Sequence, residues 1–174
     1  MLTKGTNPLA VTPILTMGAT GTDLATGLRN QPTSQSDPDS LKLTPSGALQ
    51  LSCGDDGQLV FVAHPGTAEQ SVSFLTLLDP SSNPPVPVSG LDDAVFVTAR
   101  QGVFYLAETG KNRVFKIVAG DLQPGSLFAS VGSVHALVSV DPKSGKVSPF
   151  VPNLSGPHGL AFVARHHSEE DSDH

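Results

Sequence analysis

The segment GVFYLAETGKNRVFKIV, residues 102–118, contains two short apolar runs on either side of a polar turn. The first run, Val103–Glu108, and the second, Arg113–Val118, are rich in Val, Phe and Leu or Ile, which favour β-strands. Gly110 and Asn112 lie in the turn and tolerate the left-handed backbone conformation that a short connection needs. The segment therefore predicts two consecutive β-strands joined by a tight loop.

Similar runs recur along most of the chain between clusters of Gly, Pro, Asp, Asn and Ser. Each is four to eight residues long, the usual length of a strand. The predicted strands are Ala48–Cys53, Gln58–His64, Ser71–Leu78, Ala94–Ala99, Val103–Glu108, Arg113–Val118, Ala136–Val140, Lys146–Val151 and Leu160–Ala164. No window keeps the 3.6-residue period of an amphipathic helix. The sequence predicts an all-β protein.

The segments between and beside these strands are less regular. Asp141–Gly145 predicts a tight hairpin turn, with Pro entering it and Gly145 at positive φ. Leu9–Met17 is a candidate strand, Gly18–Ser40 has the composition of a long loop, and Gly120–Gly132 that of an insertion. We expect an N-terminal extension with a possible closing strand at 1–40, a β-sheet region at 41–165 and a disordered acidic and His-containing tail at 166–174.

The composition excludes several classes of protein. The 17 glycines and 15 prolines among 174 residues are unsuited to helical bundles and coiled coils. The net charge of −6, without a basic patch, argues against a nucleic-acid partner. No apolar run approaches the roughly 20 residues of a membrane span, so we expect a soluble chain without a membrane partner. A single cysteine excludes an internal disulfide and leaves the compartment open, because a mature secreted or periplasmic chain would look the same.

A repeat of about 45 residues connects two parts of the sheet region. Residues 49–51 (LQL) match residues 95–97 (VFV) at an offset of 46, and residues 61–64 (FVAH) match residues 105–108 (YLAE) at an offset of 44. Each match places a first strand before a glycine-containing turn and a second strand after it. A period of about 40–50 residues with four short strands per unit is typical of propeller blades.

Residues 102–117 resemble the NHL-repeat motif, roughly G-x-LYVADTGNNRVxKI, with Glu108 where Asp is usual. Residues 155–162 (SGPHGLAF) resemble the P-x-G-L-A-F start of the next blade. Both patterns are shared with the six-bladed SMP-30/gluconolactonase-like propellers. The similarity covers about residues 90–165, and residues 47–78 are a weaker copy. It implies a β-propeller with blades of four-stranded antiparallel sheets.

The chain is short for a six-bladed ring. Six blades of 40–45 residues need about 250 residues, whereas about thirteen candidate strands make about three blades. We therefore expect a partial propeller that self-association or a second chain completes, or a fragment of a longer protein. Leu160–Ala164 begins a further blade and needs strand partners, which a strand near Leu9–Met17 could supply.

In a propeller, the loops before the first strands and after the second strands open on one face of the channel. The repeat offset places candidate residues at two equivalent positions there: Ser46, Asp92 and His158 at the first, and His64 and Glu108 at the second. Asp93 lies beside them, and Arg113 can reach back to Glu108 as an exposed pair worth little in stability. We expect all of them around one channel mouth, where carboxylate and imidazole groups could hold Zn²⁺ or Ca²⁺.

Two related enzyme families place a metal at that mouth. SMP-30-like lactonases use Glu, Asn and Asp, and their Asn occupies the blade start where this chain has His158. Peptidyl-hydroxyglycine amidating lyases carry PHSLA-like segments whose His binds zinc, and residues 157–161 (PHGLA) are similar. The resemblance thus implies one candidate function, a metal-dependent hydrolase or lyase with Glu108 as general base. Its metal ligands would be His158, His64, Asp92 and Glu108.

The sequence favours a non-enzymatic function over this metal-dependent enzyme. Most of the matched residues hold blades together, so the sequence favours a binding or scaffold module that recognises a protein, a peptide or a glycan. Its candidate binding residues are Ser46, Asp92, Asp93 and Arg113.

Overall fold

The computed structural model describes residues 12–165, so the predicted tail at 166–174 lies outside the described residues. Short strands dominate this part of the chain, with one 3₁₀ turn at Thr109–Lys111 and no α-helix, and the predicted all-β class is confirmed. The strands are β1 (Thr20–Asp23), β2 (Gln31–Pro32), β3 (Pro38–Leu43), β4 (Leu49–Cys53), β5 (Gln58–Ala63), β6 (Ser71–Thr76), β7 (Leu78–Asp79), β8 (Val86–Pro87), β9 (Leu91–Phe96), β10 (Gly102–Glu108), β11 (Arg113–Ala119), β12 (Leu127–Val131), β13 (Ala136–Val140), β14 (Val147–Val151) and β15 (Pro157–Ala164). Within residues 12–165, no helix has the length and apolar character that crossing a bilayer requires.

Three sheets contain most of the strands, and none of them closes on itself. The first sheet has the strand order β2-β1-β6-β5-β4-β3 and is antiparallel except between β1 and β6. The middle sheet has the order β14-β13-β12-β9, and the third sheet has the order β11-β10-β15; both are antiparallel. Strands β7 and β8 form a separate two-stranded ribbon.

One apolar core lies between the first sheet and the middle sheet. Leu59 and Leu75 of the first sheet share it with Ala129 and Val138 of the middle sheet, and all four are almost fully buried. Period-2 alternation explains this, because every second residue of each strand points to the same face. The first sheet therefore packs on one face of the middle sheet.

A second apolar core lies between the middle sheet and the third sheet. Phe128 and Leu137 of the middle sheet share it with Phe104, Leu106 and Leu160 of the third sheet. All five residues of β12 are buried as a result, since both faces of the middle sheet are covered. The three sheets form a stack, and within residues 12–165 the outer faces of the first and third sheets do not pack on another sheet.

Strand pairing departs from the sequence repeat in the second half of the chain. The repeat predicts that β9 pairs with β10, as β4 pairs with β5. Instead β9 pairs with β12, and β10 pairs with β15. Residues 97–101 carry the chain from the middle sheet to the third sheet, and residues 120–126 bring it back. Gly120–Gly132 is thus more than an insertion, because it contains β12, a five-residue run that shows no alternation since both of its faces are buried.

The N-terminal part of the described chain is more ordered than its composition suggests. Gly18–Ser40, predicted as a loop, contains β1, β2 and the start of β3. These strands contain Gly, Asp and Pro, which are depleted in strands, and pairing with β6 and β4 supplies their order instead. Of the candidate strand Leu9–Met17, residues 12–17 are not in a strand, and the remainder lies outside the described residues.

The predicted turns are confirmed, but Gly110 is required for a different reason from the one predicted. Gly145 has a φ of 71° in the β13–β14 hairpin, and its N–H donates to the carbonyl oxygen of Asp141 at 2.8 Å. Asn112 has a φ of 49°, in the left-handed region. Gly110 is not left-handed; a Cβ there would collide with the carbonyl oxygen of Ser155. Its lack of a side chain permits a close approach of two loops.

Candidate functional site

The three sheets meet along one edge strand each, and a single carboxylate joins these strands. Asp93 on β9 accepts hydrogen bonds from Ser40 Oγ at 2.9 Å and Lys42 Nζ at 2.5 Å, both on β3. It also accepts one from the backbone N–H of Leu160 on β15, at 2.8 Å. Lys42 Nζ in turn donates to the carbonyl oxygen of Leu160. Asp93 therefore connects the first, middle and third sheets.

Asp93 has little capacity left for a ligand. Its side chain is 8% exposed, and the backbone N–H of Ala94 donates to the same carboxylate at 2.9 Å. A buried carboxylate is stable when hydrogen-bond donors and an opposite charge surround it, and all of these are present. Asp93, a predicted binding residue, instead holds the three sheets together at their junction.

Asp92 and His158 are the two predicted metal ligands that the structure brings into contact. His158 Nδ1 lies 2.6 Å from Asp92 Oδ1, and both groups are reachable from solvent. Burial raises the pKa of Asp92, while the neighbouring imidazole opposes that change. Burial, followed by the charges of Asp37 and Asp92, also raises the pKa of Asp39. The carboxylates of Asp37 and Asp39 both lie beside Gly54.

Glu108 is enclosed, and both of its carboxylate oxygens are occupied. The backbone N–H of Ser155 donates to Oε1 at 2.6 Å, and Arg113 Nε donates to Oε2 at 2.8 Å. The Ser155 hydrogen bond, followed by Arg113, holds the pKa of Glu108 below its ordinary value against the opposing effect of burial. The predicted pairing with Arg113 is present, but the Glu108 side chain is 0% exposed, so the pair is not the exposed one expected from the sequence. A carboxylate in this position fixes two loops rather than facing a substrate.

Ser46 and His64 lie at the opposite end of the first sheet from Asp92 and His158. They line a shallow cavity of about 370 Å³ beside Leu49, where β4 begins and β5 ends. Asp39 faces Gly54, at the other end of the same hairpin. The structure therefore does not bring the predicted residues together around one mouth. The offset behind that expectation requires β9 and β10 to belong to one sheet, and they do not.

Within residues 12–165, no group of three or more His, Cys, Asp or Glu side chains is arranged to hold a metal ion. Of the four proposed ligands His158, His64, Asp92 and Glu108, only the first and third touch each other. Of the ligand set proposed for the lactonase-like or lyase-like alternative, the structure brings together only Asp92 and His158.

A cavity of about 490 Å³ opens between the first and middle sheets, at the same end as Ser46. Phe61 of β5 and Phe96 of β9 form two of its walls, with ring centroids 6.4 Å apart. Its lining is mostly apolar: Leu24, Thr44, Pro45, Ser46, Ala48, Phe61, Ala63, Ser73, Leu75, Phe96, Gly125, Leu127 and Pro142. Of this set, the sequence predicts a functional position only for Ser46. The two phenylalanines have the pattern of ordinary strand residues, since nothing local shows that a cavity lies between the two sheets.

Comparison with protein-family models, curated proteins and solved structures gives no match for this chain. The NHL-like and SMP-30-like resemblance therefore stays a prediction.

Replacing Asp39 by asparagine is expected to stabilise the protein at pH 7 and low salt, by less than about 1 kcal/mol because the group is exposed and screened. The folded-state pKa of Asp39 is raised, so its contribution to stability is present below pH 3.8 and is lost as the pH rises through the folded value. The gain should therefore vanish near pH 3, where the carboxyl is protonated in both states. Urea unfolding at the two pH values measures it.

Glu69→Gln is the matched control for this substitution, because Glu69 is also exposed and carries the same charge. A gain of the same size in both variants would show that lower net charge, and not the group of carboxylates around Asp39, is responsible.

Proposed function

We propose that this chain forms three blades of a propeller-type binding module, and that the cavity between the first and middle sheets takes an apolar side chain of a peptide or protein partner. Three stacked sheets whose edge strands β3, β9 and β15 meet at Asp93 support the propeller part of this proposal. Blades of a propeller are likewise stacked sheets that converge along their innermost strands.

The apolar cavity is the observation that carries the binding function. Its volume of about 490 Å³ falls within the usual range for ligand sites, about 300–1,000 Å³. Phe61 and Phe96 offer aromatic surface, whereas the polar groups at the cavity are few, chiefly the hydroxyls of Thr44, Ser46 and Ser73. A glycan needs many directed hydrogen bonds, and a peptide with an apolar anchor does not. A peptide therefore suits this lining better than a glycan.

Selection of random peptides displayed on phage against the full chain tests this function. Enriched peptides are expected to share one large apolar or aromatic residue and to bind competitively with one another. Ala48→Trp places an indole in the cavity and should weaken their binding by at least about tenfold, since an anchor pocket contributes about 1.4 kcal/mol or more. Isothermal titration with a synthetic copy of the best peptide gives the dissociation constants.

Ser81→Trp is the matched control, because Ser81 is exposed in the loop between β7 and β8, away from the cavity lining. Circular dichroism establishes that both variants fold. Phe96→Ala removes an aromatic wall without filling the cavity and is expected to weaken binding too. Peptides that bind the Ala48→Trp protein as tightly as the unchanged protein, or a selection that enriches no apolar anchor, would contradict the function.

A further inference from the structure

The outer face of the third sheet is apolar and has no covering element among the described residues. Phe104, Leu106 and Leu160 of this sheet point toward the middle sheet. The residues between them along the strands therefore point outward. These outward residues include Tyr105, Val114, Val118 and Val163, which are 40%, 69%, 59% and 52% exposed. Strand pairing places Tyr105 and Val163 on neighbouring strands, so they form one continuous patch.

The outer face of the first sheet is apolar as well. Pairing across the sheet aligns Leu41 with Leu51, and Leu43 with Leu49. Residues 12–15 cover part of this face, through contacts of Leu15 with the cluster around Val60 and Phe74. Leu41 and Leu43 on β3 remain 62% and 71% exposed. Exposed apolar side chains that adjoin one another on a sheet face indicate an interface.

The segments that form the first and third sheets differ in net charge. Residues 20–76, which form the first sheet, have six acidic and two basic side chains. The strands of the third sheet and their connections, residues 102–119 and 157–165, have one acidic side chain, the enclosed Glu108, which pairs with Arg113. Three further basic side chains belong to the same segments: Lys111, Lys116 and Arg165. Pairing two first sheets, or two third sheets, would bring like charges together, whereas pairing a first sheet with a third sheet joins opposite charges.

We propose that the first-sheet face of one copy docks on the third-sheet face of a second copy, head to tail. Both internal interfaces of the stack are already of this kind, with one apolar sheet face packed on another. Because the sheets converge at Asp93, two copies joined through both pairs of faces form a closed ring of six sheets with twofold symmetry. The cavity lining at Phe61, Ser73 and Leu75 belongs to the inner face of the first sheet, so this interface is independent of the proposed peptide binding.

Light scattering of the full chain over a range of concentrations tests the interface. The expected mass is twice 18.0 kDa, and association should weaken as salt rises because the two docked segments differ in the sign of their net charge. Leu43→Lys sets a positive charge against the basic third sheet, and Val118→Glu sets a negative charge against the acidic first sheet. Each variant alone is expected to lower the association constant by at least about a hundredfold.

Mixing the two variants separates head-to-tail docking from other arrangements. Each variant keeps one intact face that fits the intact face of the other. At the second interface the lysine introduced at position 43 meets the glutamate introduced at position 118, so opposite charges are joined there. The mixture is therefore expected to regain the doubled mass. Val86→Lys, on the ribbon formed by β7 and β8, is the matched control and should keep the mass of the unchanged protein.

Three results would overturn this interface: a single-chain mass at every concentration, full association of the Val118→Glu protein alone, or a mixture that stays at the single-chain mass. If Leu43→Lys only lowers the unfolding temperature of a single chain, another part of the same chain covers the first sheet, which also overturns it. Should either variant fail to fold, Leu41→Lys and Val114→Glu repeat the test on the same faces.

Discussion

Asp93→Ala is expected to lower the free energy of unfolding by about 3 kcal/mol. The substitution leaves the ammonium group of Lys42 without its carboxylate and the backbone N–H of Leu160 without an acceptor. Removing one partner of a buried ion pair costs about 3–5 kcal/mol, and the partial exposure of Lys42, at 32%, keeps the expected loss at the lower end. Because Asp93 joins β3, β9 and β15, this loss should affect all three sheets together. Urea unfolding followed by circular dichroism measures it.

Asp92→Ala is the matched control on the same strand, since that carboxylate is more exposed and contacts His158 alone among side-chain partners. We expect its loss to stay below about 1 kcal/mol. Asp93→Asn, which keeps the shape but removes the charge, should fall between the two. A double-mutant cycle with Lys42→Met isolates the coupling of the pair. Equal losses for Asp93→Ala and Asp92→Ala would mean that the junction contributes no more than an ordinary surface contact.

Phe104→Ala is expected to cost about 3–5 kcal/mol, the usual cost of truncating a buried phenylalanine. Phe104 is 0% exposed at the centre of an aromatic cluster between the middle and third sheets. Its ring centroid lies 4.9 Å from that of Phe128, 5.0 Å from that of Phe162 and 5.9 Å from that of Phe150. Alanine would leave a cavity that strands held by hydrogen bonds on both sides cannot close. Thermal and urea unfolding both report the change.

Phe150→Ala provides the comparison within the same cluster. Phe150 is 40% exposed, so its truncation removes less buried surface and leaves an opening to solvent instead of a cavity. We expect a cost of about 1 kcal/mol there, and Phe104→Leu should recover much of the stability lost with alanine. A larger loss at position 150 than at position 104 would contradict the described packing of the two sheets.

Local hairpins are the part of the fold that the sequence predicts well. The pairs β4–β5, β10–β11 and β13–β14 are each joined by a short turn, and strand composition together with turn residues predicts them. In such pairs the turn chemistry and the strands lie within about twenty residues of each other, so the information is local.

Pairing between distant strands cannot be read in the same way. The β9–β12 and β10–β15 pairs join segments about 35 and 55 residues apart, and many apolar runs could satisfy them equally well. The composition of β3 is polar and does not predict a strand. The inward position of Lys42 is explained by Asp93, which faces it from another sheet.

The candidate site shows the same division. The contact between Glu108 and Arg113 is predictable because the two residues flank one turn. The proposed equivalence of blade starts predicts the contact between Asp92 and His158, but it also places Ser46 beside them, and Ser46 lies at the opposite end of the first sheet. The cavity with Phe61 and Phe96 depends on how two sheets pack against each other, which leaves no pattern along the chain.

The alternation of the chain between the middle and third sheets has a consequence for how the protein folds. Neither sheet is a continuous piece of sequence, since β10 and β11 are inserted between β9 and β12, and β15 follows β14. Cutting out either sheet would remove a strand connection of the other, so the two form a single cooperative unit. Strands β3 to β6 are consecutive and can form or open as a separate foldon. Folding would then proceed from two units, strands β3 to β6 and the middle and third sheets together. The hydrogen bonds of Asp93 to β3 and β15 would form only when both units are complete.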